Sequence, residues 1–266
     1  MIPFFNEAEN VIPLVAELDE ALTRLAVKSD SKANCEVLLV DDGSLDDTGQ
    51  LLDRACDTRP GWRVLHLLGN HGQAAALYIG MHATSAPRLI LLDGDGQNDP
   101  ADIPRVVALL DAGADLAVGV RAQRHDSLGR RLASRVANGV RSRILQDGAR
   151  DAGCGLKAMR REVVAALIPI HTLYSFIPSL AAAAGFRVAE IVVSHRPRRG
   201  GAANYSVRRF LIWPLVDLLG ILWFANRRFA PPELQQDNAS TLYDPRELPN
   251  TSSVSLPPTI HSSGSS

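Results

Sequence analysis

A repeated alternation restricts the fold of this chain more than any other feature: a continuous apolar run, then a stretch with helical apolar spacing. "CEVLLVDDGS" is followed by "LDDTGQLLDRACD", where Leu51, Leu52 and Ala55 fall at helical intervals. "WRVLHLL" and "RLILLDGDG" precede helical segments over 72–84 and 100–112, and "DLAVGV" adds one more run. Apolar runs separated by helices indicate an α/β protein, with a mostly parallel sheet covered by helices on both faces. With 266 residues, 46% hydrophobic and 21% charged, the chain has material for one substantial core.

Helix starts carry their own signals. Asn6 is placed to cap a helix with Glu9 three residues on, and Asp99-Pro100 sets a cap before a proline at the first helical position, with Asp102 as partner. The start "MIPFFNEAEN" has no signal-peptide pattern, and its first strand reads as truncated, since a buried strand should begin several residues before Ile2. Beyond residue 150 the alternation loosens: "GCGLKAM" and "FRVAEIVVSH" read as strands, with helical pieces near 160–168 and 173–184. The stretch over 207–224 is mostly apolar, but its apolar core runs only from Phe210 to Phe224, contains Pro214 and Asp217 and is shorter than the roughly 20 residues a simple span needs, so it suits the membrane interface, or one piece of a larger membrane anchor, better. The expected division is an α/β domain over 1–206, an amphipathic membrane-associated segment over 207–228, and a Pro/Ser-rich disordered tail over 229–266.

Acidic clusters terminate two of the apolar runs. Asp41-Asp42 and Asp93-Gly94-Asp95 fall at the carboxyl ends of strands, the edge where open α/β sheets bind ligands. Two carboxylates one residue apart repel unless a hard divalent cation pairs them, so Mg²⁺ or Mn²⁺ bridging to a diphosphate is the expected occupant of Asp93 and Asp95. Gln97 would add a carbonyl oxygen or position the loop. No GxGxxG follows a strand and no GxxxxGK[ST] occurs, which removes the usual glycine-rich phosphate cradles. Asp41 and Asp42 can accept hydrogen bonds from a nucleobase or from ribose hydroxyls.

Net charge is −1, so nothing global points to nucleic acid, but 25 of the 28 basic residues are Arg and they cluster. Seven lie within 121–143 and five within 196–209, which makes both stretches local anion-binding candidates. Three cysteines without CxxC spacing argue against a disulfide framework or a cysteine zinc site, and fit a reducing, cytoplasmic setting. His71 reads as a helix-start or site-lining residue, and His195 as ordinary loop.

"IPFFNEAENV", "VDDGSLDDT", "LDGDGQNDP" and "GCGLKAMRRE", in this order, resemble the inverting family 2 glycosyltransferases of GT-A fold, close to the dolichyl- and polyprenyl-phosphate sugar synthases. The resemblance covers about residues 1–225. It implies nucleotide contacts at Pro3, Asn6, Glu7, Asp41, Asp42 and Asp93, and metal with sugar diphosphate at Asp93, Asp95 and Gln97. "GRRLASRVAN" is similar to the family's acceptor-phosphate segment, which implies Arg121, Arg130 and Ser134. In "RRGGAANYS", Arg198 matches a phosphate-contacting loop, while Ala203 and Asn204 replace its usual Ser and Lys.

The implied reaction is transfer of a hexose from a nucleotide-diphosphate sugar to a polyprenyl phosphate at the cytoplasmic face of a membrane. A lipid phosphate is already an anionic nucleophile and needs alignment but no base. A saccharide or glycolipid hydroxyl would need a carboxylate base, for which Asp151 is the candidate beside Asp93 and Asp95. A third reading keeps the fold as a catalytically silent binding protein.

Overall fold

The computed structural model describes residues 1–28, 35–121, 145, 149–197, 216–223 and 227. Residues 1–227 belong to one compact unit. Its elements run β1 (Ile2–Phe4), α1 (Ala8–Lys28), β2 (Val37–Asp41), α2 (Thr48–Asp57), β3 (Trp62–His66), α3 (Gln73–His82) and β4 (Arg88–Leu91). A 3₁₀ turn over Pro100–Asp102 leads into α4 (Ile103–Asp111), then β5 (Leu116–Arg121), β6 (Lys157–Arg160), α5 (Arg161–Val164), α6 (Leu173–Ala183) and β7 (Val188–Val193). Residues 216–223 form one further helix.

Strands β1, β2 and β3 form a parallel sheet, and β4, β6, β5 and β7, in that order, a mixed one. The two meet at Met1, whose N-terminal nitrogen donates to Ile90 O at 2.7 Å and whose carbonyl accepts from Leu92 N at 3.2 Å. The mostly parallel expectation holds, with one antiparallel strand. β6 enters between β4 and β5 antiparallel to both, while β5 and β7 pair in parallel. Strands that alternate residues between two covered faces must be apolar throughout, which is why "VLLV" has no polar position. Leu39 joins the core under α1, α2 and α4, and Leu38 and Val40 pack with Ala76 of α3. In β5, Ala117 faces the first of these cores and Leu116 and Val118 the one under α6.

The start of α1 departs from the sequence reading. Asn6 does not cap it: the Asn6 side chain accepts from Leu45 N at 2.8 Å, and its own backbone sits in the left-handed region at φ 53°. The first helical donors are met from across the fold, with Glu7 N on Thr48 Oγ1 (2.9 Å) and Ala8 N on Asp46 Oδ2 (3.3 Å). This ties the β1–α1 loop to the β2–α2 loop. Asp99 does cap its turn, accepting from Ala101 N at 2.9 Å, but Asp102 turns instead to Ser194 N at 2.7 Å.

Asp217, which interrupts an apolar stretch, caps α6. Its Oδ2 accepts from Thr172 N at 3.0 Å and from Thr172 Oγ1 at 2.5 Å. Leu218 and Ile221, on the same short helix, join the core that α6 covers. The charge is thus an N-terminal cap supplied by a neighbouring helix, with the favourable sign for a helix start. Asp217→Ala should cost about 1–2 kcal/mol in urea unfolding, as loss of a cap does, and Asp217→Asn should recover much of it. An unchanged midpoint for Asp217→Ala would contradict this role.

Candidate active site

Three strand ends and their loops converge at the carboxyl edge of β1, β2 and β4. Asp42 N donates to Phe4 O at 2.8 Å, which joins the first two. Gly94 brings in the third: a Cβ there would lie 2.6 Å from Pro3 O and 2.7 Å from the Phe4 ring, so no larger residue fits without a shift. Pro3, Asn6, Glu7, Asp41, Asp42 and Asp93 are therefore neighbours in the fold although they are spread over 91 positions of sequence.

Asp41 and Asp42 are both buried. Asp41 Oδ1 accepts from Ser44 N at 3.0 Å and Oδ2 meets His66 Nδ1 at 2.9 Å. Asp42 accepts from His71 N and Gly72 N, both at 2.8 Å, and from Asn70 Nδ2 at 3.2 Å. Burial pushes the Asp42 carboxyl above its ordinary range, against the pull of those two backbone N–H groups. The loop that Asp42 gathers leads directly into α3, whose first residue, Gln73, donates to Asp93 Oδ1 at 2.7 Å. One chain of contacts thus links the two acidic clusters.

Asp93 is set deep. A Cβ on Gly155 would sit 2.1 Å from Asp93 Oδ2 and 2.8 Å from Asn98 Oδ1, so the "GCG" backbone must be bare for the carboxylate to lie where it does. Burial raises the Asp93 carboxyl, opposed by the positive charges of Lys157 and Arg121 and by the Gln73 bond. Lys157 is itself buried, its ammonium donating to Cys154 O, and burial lowers it against the attraction of Cys154, Asp93 and Asp151. Asp95 is pushed from 3.8 up to about 6, first by burial and then by the Asp93 charge.

This arrangement fits a divalent cation. Two partly buried carboxylates repel each other, and an ion between them removes the penalty. Among the described residues no three His, Cys, Asp or Glu side chains form a ready-made metal cage. Gln97 is tied into the same loop: its N–H donates to Asp95 Oδ1 at 3.1 Å, and its Nε2 reaches Arg196 O at 3.4 Å.

Asp151 and Arg121 are brought together, with each other. Arg121 Nε and Nη2 each lie 2.7 Å from an oxygen of Asp151, and Arg121 N adds a third bond at 3.1 Å. Arg130, Ser134 and Arg198 lie outside the described residues, as does the tail over 229–266.

Several participants were not singled out in the sequence. Gln73 and Lys157 give no pattern of their own, although Lys157 follows the "GCGL" segment directly and is one of only three lysines. His195, read as ordinary loop, forms a bridge with Asn98, and Arg196 N donates to Gln97 O at 2.8 Å, so the segment after β7 is laced to the loop that carries Asp93, Asp95 and Gln97.

Comparisons with known proteins agree with this architecture. The family described as Glycosyl transferase family 2 matches residues 1–168. Undecaprenyl-phosphate 4-deoxy-4-formamido-L-arabinose transferase of Yersinia enterocolitica is 37% identical over 223 residues, covering 84% of this chain and 66% of that protein. The protein of the same name from Klebsiella pneumoniae is 36% identical over 222 residues, covering 82% and 66%. The chain therefore spans 66% of the length of these curated relatives. Among solved structures, glucosyl-3-phosphoglycerate synthase from Mycobacterium tuberculosis in complex with Mg²⁺ and UDP aligns with TM-score 0.62 at 19% identity, over 82% of this chain and 78% of that one. The same synthase with Mn²⁺, UDP and glucosyl-3-phosphoglycerate gives 0.61 at 18%, over 84% and 77%. The class is a GT-A-like α/β fold, with helices on both faces of its sheet. Within that class, the chain belongs to glycosyl transferase family 2.

The raised acid has a measurable consequence. A carboxyl whose folded pKa exceeds its unfolded value carries a penalty in full above the folded pKa, relieved as pH falls through it toward the unfolded one. For Asp95 that window runs from about 6 down to 3.8. In metal-free solution, Asp95→Asn should be more stable than the parent by about 1–2 kcal/mol at pH 7.5, and the gain should shrink toward zero at the acid end of the window. Urea unfolding in chelator at the two pH values measures this, and an equal effect at both would refute it.

Proposed function

We propose that this chain carries the catalytic domain of an inverting glycosyltransferase. It would move a glycosyl group from a nucleotide-diphosphate sugar to a polyprenyl phosphate at the cytoplasmic face of a membrane, using Mg²⁺ or Mn²⁺. The observation that carries the reading is the half-buried Asp93–Asp95 pair beside Asp41 and Asp42 at one sheet edge. The names of the relatives support the acceptor, and the neighbours crystallised with UDP and Mg²⁺ or Mn²⁺ support donor and ion. The sugar is a hexose, as expected from the motifs, or a pentose like that in the relatives' names.

In this reading Pro3, Asn6 and Glu7 shape the wall against which the nucleotide lies, and Asp41 and Asp42 face its base and ribose. Asp93 and Asp95 hold the ion, with Gln97 fixing their loop. The bound ion supplies positive charge to a departing diphosphate. Attack from the face opposite the leaving group inverts the anomeric centre. Arg121, with Arg130, Ser134 and Arg198, is assigned to the acceptor phosphate, Arg121 as a guanidinium whose Nε and Nη2 are already engaged and oriented by Asp151.

Asp151 bears on the choice of acceptor. A carboxylate gripped on both oxygens by a guanidinium is a poor proton acceptor, since protonation would forfeit two charge-assisted bonds. An acceptor that is already an anion needs no base, so this geometry favours a phosphate over a hydroxyl.

The membrane-associated role of 207–228 also belongs to this proposal. Among the described residues no helix is long and apolar enough to cross a membrane. On the 216–223 helix, however, Val216, Leu219 and Trp223 are exposed opposite the buried Leu218 and Ile221. Arg227 lies over the Trp223 ring at 5.8 Å, a pairing suited to an interface.

The test incubates the chain with radiolabelled nucleotide sugars and membranes, scoring label in organic-extractable, mild-acid-labile lipid. Asp93→Asn/Asp95→Asn should lower transfer by more than about 100-fold. Asp151→Asn should cost less than about tenfold if the acceptor is a phosphate, and about 100-fold or more if it is a hydroxyl awaiting a base. Full turnover by the double variant would remove the metal from the reading.

A further inference from the structure

Register places His66 beside Asp41 on the last rung of the parallel ladder between β2 and β3. The ring is held from two sides. Nδ1 lies 2.9 Å from Asp41 Oδ2, and Nε2 lies 3.0 Å from Asp53 Oδ1 on α2. A neutral imidazole has one N–H and one lone pair, so it can satisfy one carboxylate only and would turn its lone pair toward the other. Two carboxylate contacts of this length call for both nitrogens to donate.

We propose that His66 is a positioning residue, held as an imidazolium between Asp41 and Asp53, that fixes the Asp41 carboxylate for the nucleotide and makes nucleotide affinity depend on pH. The second half rests on the assignment of Asp41 to the nucleotide. With Ser44 N on one oxygen and His66 on the other, the plane of Asp41 is set. Each carboxylate oxygen has two acceptor sites, so a further one on each can meet a donor of the ligand. The cation also offsets the crowding of Asp41 against Asp42, its buried neighbour in the chain.

The charged groups bearing on the ring are Asp41 from β2 and Asp53 from α2, both acidic. Arg63, on the same strand as His66, is committed to Glu36 at 2.5 Å. The two carboxylates, Asp41 foremost, raise the imidazole above 6.5 although partial burial lowers it. A histidine raised in this way contributes fully below its ordinary pKa and loses that contribution as pH rises through the folded value. Nucleotide binding should therefore weaken on the alkaline side.

The test uses the 266-residue chain, ¹⁵N-labelled at histidine, with UDP and GDP as probes in Mg²⁺. Ring ¹⁵N shifts should report both nitrogens protonated at pH 6.5, with a midpoint above that of free histidine and lower in Asp53→Asn. By titration calorimetry the parent should lose about three- to tenfold in affinity for whichever probe it binds between pH 6 and pH 9. His66→Asn keeps an amide donor near the Nδ1 position and cannot titrate, so it should bind within about threefold of the parent at pH 6 and stay flat. His66→Leu should be about tenfold weaker and equally flat. Circular dichroism at each pH establishes that the variants are folded, and Asp53→Asn, altered on the solvent side, tests the link if His66→Leu is not.

A neutral ring at pH 6.5, or a parent and His66→Leu with the same affinity and pH profile, overturns the proposal. If neither nucleotide binds the parent at any pH while the imidazolium is seen, the nucleotide assignment of Asp41 falls and the coupling falls with it. The tether between the two carboxylates then stands alone.

Discussion

Everything at the carboxyl edge follows from holding the Asp93 carboxylate where the fold half-buries it. A buried anion is tolerated only where donors and opposite charge surround it. Here those are Gln73 from the start of α3 and the nearby charges of Lys157 and Arg121, while the missing side chain at Gly155 leaves room for the carboxylate. Each arrives from a different part of the chain, so the position of one side chain constrains α3, the "GCG" turn, and the ends of β5 and β6 together. Asp95, next but one in sequence, inherits the consequence: its neighbour's charge adds to its own burial. The folded protein thus stores electrostatic repulsion where a cation would relieve it.

The strands and most helices were legible because both faces of the sheet are covered. A residue such as Leu39 must be apolar whichever way it points, and the pattern of runs survives without knowledge of the partners. The acidic clusters were legible for the opposite reason, since charge next to a buried run is conspicuous. What sequence could not supply was pairing between distant segments. Asn6 followed by Glu9 looks like a local cap, yet the donors at the start of α1 are met by Asp46 and Thr48, about 40 positions away. Asp217 looked like an interruption and is a cap for another helix. The antiparallel entry of β6 is invisible in its composition, because a buried strand has the same apolar content in either direction.

The same limit explains the reading of Arg121 and Asp151. Residue type pointed one toward a phosphate and the other toward base catalysis. Their pairing could not be seen across 30 positions, and it changes the chemistry available to both. A carboxylate engaged at both oxygens orients its arginine more readily than it collects a proton. Lys157 illustrates the converse: a lysine surrounded in sequence by apolar residues reads as an exception, and only the fold reveals the anions that make its burial tolerable.

The segment after β7 extends the argument from one carboxylate to a loop. Ser194 N reaches Asp102, His195 bridges Asn98, and Arg196 bonds Gln97 through its backbone while its guanidinium holds Glu17 of α1 at 2.8 Å and also Asp99. Asp99, four residues after Asp95, caps the turn that begins at Pro100. The loop carrying Asp93, Asp95 and Gln97 is thereby fastened on one side by Asn98 and Asp99 and on the other by Gln73. Rigid second contacts of this kind matter most where two like charges must be held at a fixed separation, since the acids left to themselves would swing apart. Arg196 performs this as a cation paired with two carboxylates, Glu17 and Asp99, and so joins α1 to the end of the acidic loop.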